Sequence, residues 1–239
     1  MRSAKTILEK IKRLAVDIDH KEAFGGKSKG NRHLFRVVKL AKHMANRLGA
    51  DMHIVEAGAW LHDTALPSGD DYDYEKNKAI VTALLRDFRL SDEDSDAIAE
   101  CVASHEGTAR SKTLEAKIVH DADVLEKSGL LGVIRHTWKL TNLGRLVPER
   151  ITRKDAERIL AHLTWRSARL HTPLARKMRA HVNVRLAPHT ALELIRIAAL
   201  KAAEGVVTER IARSVNPMLS KKQQNKLREQ LNQRYLRRF

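Results

Sequence analysis

The chain has a single cysteine, Cys101, among 239 residues. An intramolecular disulfide is excluded, and so is a zinc site built from several thiolates; a reducing, cytoplasmic setting is expected. Aromatic residues make up only 4% of the sequence, so Leu, Ile, Val and Ala must do most of the packing. No stretch approaches the roughly 20 apolar residues needed to span a bilayer. Met1 to Leu14 is basic and amphipathic without an apolar signal core, so no membrane partner is expected. Strict apolar–polar alternation is scarce and β-branched runs are short. Apolar content is nevertheless 43%, enough for a substantial core. These features together predict an all-α fold.

Charge is abundant but unevenly placed. The formal net charge is +16. Residues 1–144 hold 23 Lys/Arg against 22 Asp/Glu, and residues 145–239 hold 22 against 7. A near-neutral first part joined to a strongly basic second part points to separate jobs, or to an acidic partner drawn by the second.

Helical spacing recurs along the chain. It predicts helices over 3–18, 31–48, 52–62, 74–88, 91–104, 114–127 and 130–140, then over 151–168, 173–184 and 188–203. Gly49 is an expected stop. Ser91, followed by Asp92, Glu93 and Asp94, is an expected start, as is Thr172. Composition suggests three parts: an N-terminal helix with a Gly/Lys-rich loop (1–29), a helical domain (30–204) and a basic helical extension (205–239).

Two tempting motifs fail on spacing. Gly26-Lys27-Ser28 has Lys21 where a phosphate-binding loop needs its first glycine. The acidic run from Asp71 has Lys76 and Thr82 where a calcium loop needs Gly and Glu.

The residues that carry chemistry lie at helix ends and in one later helix. His33 opens a helix, His62-Asp63 closes the next, His105 closes another, and His120-Asp121-Ala122-Asp123 lies inside a fourth. Two imidazoles and two carboxylates suit a divalent first-row metal and leave room for water and a phosphate oxygen. Arg36, one turn after His33, is a candidate phosphate ligand. Lys117, four residues before Asp121, shares its helix face.

The order His33, His62-Asp63, Asp121 resembles the HD-domain superfamily of metal-dependent phosphohydrolases. So do the flanks: His33-Leu-Phe-Arg36-Val-Val, Ala59-Trp-Leu-His62-Asp63, Ser104-His105-Glu106, and Glu115 to Gly129. Arg169 to Met178 also looks like a late helix of the small bacterial and archaeal branch, so the resemblance covers roughly residues 30–185. It implies an HD-type helical bundle that hydrolyses a phosphate ester or anhydride of a small phosphorylated substrate, with a nucleotide as the first class to test. It implies one divalent ion (Mn, Fe, Co, Ni, Zn or Mg) on His33, His62, Asp63 and Asp121. Catalytic roles fall to Asp63, His105 and Lys117, and phosphate binding to Arg36, Lys117 and His105. Asp123 is expected to orient a ligand histidine from outside the ligand set. Two features depart from the pattern: Thr64-Ala65 stands where many members have Gly-Lys, and no histidine lies between Tyr74 and Lys78, where one often supports a second metal. A single ion is therefore expected. The competing expectation is a catalytically silent HD-type protein that binds nucleic acid or another polyanion through residues 145–239. Oligomeric state stays open, a homodimer included.

Overall fold

The computed structural model describes residues 4–239. Among these the regular structure is twelve α-helices with short 3-10 segments and no strand, as the composition implied. The helices are α1 (Ala4–Lys21), α2 (His33–Leu48), α3 (Met52–Leu61), α4 (Tyr74–Leu85), α5 (Asp92–Ala103), α6 (Leu114–Glu126), α7 (Gly129–Asn142), α8 (Arg153–Ser167), α9 (Pro173–Val182), α10 (Pro188–Ala203), α11 (Thr208–Val215) and α12 (Lys221–Asn232). The expected first residue of α1, Ser3, lies outside the described residues. No helix among them is long and apolar enough to cross a membrane.

Local chemistry explains where the helices start and stop. The Ser91 side chain accepts from Asp94 N–H, and Thr172 accepts from Ala175 N–H ahead of Pro173. Each satisfies a backbone donor that the first turn would otherwise leave unpaired. Asp51 does the same for α3, accepting from His53 and Ile54. Gly49 ends α2 in the left-handed region (φ +70), which a side chain would resist. Ser28, from the rejected phosphate-loop motif, is buried and donates to Asp19 at 2.6 Å, a structural bond.

The described chain forms two compact units. One comprises the described residues up to 29 together with 33–123; the other comprises 30–32 and 124–239. Composition places breaks at 30 and 205, whereas the units part at Asp123, inside α6. The basic segment 205–239 belongs within the second unit because its apolar residues are needed there: Ile211, Val215, Leu227, Tyr235 and Leu236 are all buried.

In the first unit α3 is central, packing against α1, α2 and α5. The α3–α5 approach is close. A Cβ on Gly58 would lie 2.7 Å from the Cys101 Cβ, so only glycine lets these two helices meet as they do. That contact matters because α3 ends at His62 and α5 ends just before His105. Tyr74 donates its hydroxyl to Glu100, tying α4 to α5. In the second unit α7 and α10 form the middle, with α8, α11 and α12 around them. Trp138 on α7 is buried and donates its indole N–H to Val206.

Candidate metal centre

Four parts of the first unit deliver side chains to one place. His33 is the first residue of α2, His62 caps α3 and Asp63 follows it. His105 and Glu106 come just after α5, and Asp123 lies in α6. All but Asp63 are 3% exposed or less, and the Asp63 side chain is 14% exposed.

The donor atoms lie close together. His33 Nε2 is 3.3 Å from His62 Nε2, 3.4 Å from Asp63 Oδ2 and 3.3 Å from Asp123 Oδ1. His62 Nε2 is 3.3 Å from Asp63 Oδ2 and 3.7 Å from Asp123 Oδ1. Bonds of about 2.1 Å to one cation put neighbouring donors roughly 3.0–3.4 Å apart at octahedral to tetrahedral angles. His33, His62 and Asp123 form one candidate ligand group, Asp63 Oδ2 lies 3.3–3.4 Å from both imidazole nitrogens, and the mixed nitrogen–oxygen set suits a first-row metal.

The imidazoles are aimed. The ring nitrogen Nδ1 of His62 lies 2.9 Å from the Ala59 carbonyl, and that of His105 lies 2.6 Å from the Val102 carbonyl. A carbonyl only accepts, so each Nδ1 carries the proton and donates it. The lone pair of each Nε2 is left facing the cluster, the arrangement a metal-binding histidine needs. His120 supports the set from behind: its Nδ1 lies 2.8 Å from the His105 carbonyl oxygen. Gly107 makes room for that ring in a left-handed turn (φ +77), where an added Cβ would sit 3.1 Å from His120 Cε1. Burial disfavours a charged His105, but the carboxylates of Glu106, Asp123 and Asp63 outweigh it and hold its pKa above the usual histidine value.

His33, His62, Asp63 and His105 therefore come together as the sequence suggested. Asp123 lies in one donor group with the two imidazoles, and Asp121 lies in neither donor group among the described residues. Two residues along a helix turn a side chain by roughly 200°, so the two carboxylates leave α6 in nearly opposite directions. Asp123 thus stands among the donors and not outside them. Lys117 is half-buried, one turn before Asp121 on α6. Arg36 is buried in the first turns of α2. Sequence reasoning gave no role to Glu106 or His120; the pairing of His105 with an adjacent acid was the only signal for the former.

Residues 31–128 match the HD domain family. That segment is 98 of the 239 residues. A curated relative, ribonuclease Y of Clostridium perfringens, is 32% identical over 94 residues, which is 39% of this chain but only 17% of ribonuclease Y. Solved structures share the fold. A Lactobacillus plantarum protein is 23% identical with a TM-score of 0.58, covering 80% of this chain and 94% of its own. Bacillus subtilis YpgQ is 19% identical with a TM-score of 0.56, covering 75% and 89%. The ADP complex of YpgQ matches over 91% of this chain and 97% of YpgQ, at 19% identity and a TM-score of 0.54.

Proposed function

We propose that the chain hydrolyses a phosphate ester or anhydride of a small phosphorylated substrate, using a divalent ion held by His33, His62, Asp63 and Asp123. The convergence of these donors, with His33 Nε2 and His62 Nε2 3.3–3.7 Å from each other and from carboxylate oxygens of Asp63 and Asp123, carries the reading. A cation bound there supplies Lewis-acid polarisation of a phosphoryl oxygen and a more acidic water. The chain's own residues do the rest. The Nδ1 bonds to backbone carbonyls lock the His62 and His105 rings. Asp123, buried in α6, would supply an anionic ligand to the ion. Arg36 offers a planar guanidinium to phosphate oxygens from the helix that begins with His33. A nucleotide is the first substrate class to try, supported by the shared fold with YpgQ, which has been solved with ADP.

The test is a panel of nucleotides and phosphorylated metabolites with Mn²⁺, Mg²⁺, Co²⁺ and Ni²⁺. Turnover with at least one pair, abolished by His62→Ala in a protein that still folds, supports the reading. No turnover across the panel, with metal bound, counts against it.

A second reading is favoured by charge. Of the Lys and Arg residues in 145–239, only Arg166 is buried. A recess of about 460 Å³ near the C-terminus is lined by Arg228, Arg234, Arg237 and Arg238 beside Asn225 and Glu229. Such a surface suits a polyanion, whose binding would weaken steeply with salt. Because 205–239 contributes core residues, deleting it is a poor test; Arg234→Ala with Arg237→Ala, both exposed, is the better one. Polyanion retention lost in that variant, without any phosphohydrolase activity in the parent, would favour a binding protein.

A further inference from the structure

We propose that a cavity lined by the start of α7, the second half of α8 and the stretch after α9 binds a small organic oxyanion, a carboxylate or phosphate carried on an apolar body. The cavity lies wholly within the second unit. None of its lining residues is a donor of the metal cluster, so the proposal stands apart from that reading.

The cavity has a volume of about 290 Å³. Apolar side chains reach it from three places: Val133 on α7, Leu160 and Leu163 on α8, and Val184 and Leu186 on the stretch before α10. Apart from Val133, these side chains are only half-buried, so apolar surface is left in contact with water. A ligand that covers that surface is favoured by its removal from water. An apolar cavity of about 150 Å³ accommodates benzene, so this one has room for roughly a dozen non-hydrogen atoms.

The charge at the cavity is of one sign. Arg179 on α9 and Arg185 line it, and no acid does. Arg179 is half-buried and Arg185 exposed, and neither guanidinium has a partner among the described residues. Other arginines of this unit are engaged: Arg176 donates to the Leu170 and His171 carbonyls, and Arg196 to the Ile151 carbonyl. A guanidinium beside apolar walls is screened less than one in open water, so an anion is held there more strongly. Its planar fork suits a carboxylate or a phosphate. The exposed Thr164 hydroxyl and Asn183 amide supply further donors at the rim. The Ser128 and Ser167 hydroxyls are already given to the Val124 and Thr164 carbonyls.

The walls are fixed before any ligand arrives. Gly129 opens α7 in the left-handed region (φ +61), where a Cβ would lie 2.7 Å from the Val182 carbonyl oxygen. The start of α7 and the end of α9 therefore meet without slack. Gln230 of α12 donates to the Ser128 carbonyl at 2.9 Å. The stretch after α9 is tied to α12 as well, because the Arg185 carbonyl accepts from Gln223 Nε2 at 3.3 Å. That bond holds the Arg185 backbone and leaves its side chain to the cavity. A site ordered in advance loses little affinity to ordering on binding. Inorganic phosphate would leave the apolar walls uncovered, and a neutral hydrocarbon would leave both arginines unanswered. Only a molecule with both parts meets the whole lining.

The test uses the full chain after dialysis against EDTA, since no metal donor lines the cavity. Octanoate and octyl phosphate are titrated by calorimetry, with octanol and inorganic phosphate as the two halves of the ligand. Both anions are expected to bind with dissociation constants on the order of 0.1–1 mM, and each half at least about tenfold more weakly. Methyl NMR shifts are expected at Val133, Leu160, Leu163 and Leu186. Arg185→Gln is expected to weaken both anions by about 5-fold and Arg179→Gln by about 10-fold, with octanol unchanged. Arg179→Lys, which keeps the charge without the fork, is expected to fall between Arg179→Gln and wild type. The tighter of the two anions identifies the headgroup. Octanol bound as tightly as octanoate, or full affinity in both Gln variants, overturns the proposal. So does a set of shifts confined to other methyl groups, or the absence of binding up to about 10 mM of either anion. The wild-type comparison of octanoate with octanol holds whether or not any variant folds.

Discussion

Residues 33–123 gather three imidazoles and three carboxylates, all but Asp63 buried, while residues 145–239, which carry most of the excess positive charge, bury only one cationic side chain, Arg166. The first unit spends its ionisable groups on a site; the second displays them to solvent. Its buried polar groups serve the fold instead. Gln230 on α12 donates to the Ser128 carbonyl and accepts from Leu131 N–H at the start of α7. Asn31 accepts from both the backbone N–H and the hydroxyl of Thr208, at 2.8 and 2.7 Å. Net charge therefore marks the wrong half for chemistry, and the convergence of buried ionisable groups marks the right one.

The largest effect that sharpens this contrast lies within α6. Asp123→Asn is expected to lower turnover by on the order of 1,000-fold, because it removes an anionic metal ligand and its share of transition-state stabilisation. Asp121→Asn, on the other side of the helix, is expected to lower it by less than about 10-fold. Steady-state kinetics on both variants measures this, and equal losses would break the distinction. Next comes Gly58→Ala, whose methyl group must displace Cys101. A cost of about 1–3 kcal/mol is expected from overpacking, read as a lower midpoint in denaturant, with weaker metal retention because α3 and α5 carry His62 and His105. No change in either would show that these helices are free to part.

In the second unit, Asn31→Ala leaves the first turn of α11 without its acceptor. It is expected to lose about 1–2 kcal/mol while metal content stays at the wild-type level. The smallest effect is a pH dependence. Burial, with the nearby His162 and Lys139, pushes the His136 pKa down to about 3. The unfolded chain, with an ordinary histidine, binds a proton that the folded chain refuses between those values. Stability from this group is therefore nearly complete above about pH 6.5 and falls as pH drops toward 3, with roughly 1 kcal/mol lost near pH 6. His136→Gln should flatten that limb of the melting curve against pH. An unchanged slope would mean that His136 titrates normally.

Much of the architecture was legible because helices announce themselves. Apolar spacing located α2 to α10 to within a few residues, and Ser91, Thr172 and Gly49 act as caps and stop as their chemistry suggests. Helix α11 was missed for a physical reason: it has eight residues, its N-cap Val207 supplies no side-chain acceptor, and its cap comes from Asn31, 177 positions away. The site was legible in residue type but not in register. From Ile118 to Leu125 every residue of α6 is buried, so no apolar stripe indicates which way Asp121 or Asp123 points. Only the placement of His33 and His62 breaks that tie. Glu106 was invisible for a related reason, since an acid next to a histidine at a helix end reads as an ordinary surface pair until burial is known.

The most direct test is an anomalous diffraction map from crystals of the full chain grown with Mn²⁺. The account predicts a peak roughly 2.0–2.3 Å from His33 Nε2, His62 Nε2, Asp63 Oδ2 and Asp123 Oδ1. A saturated crystal with no peak there, or with a peak bound by Asp121 in place of Asp123, would contradict it.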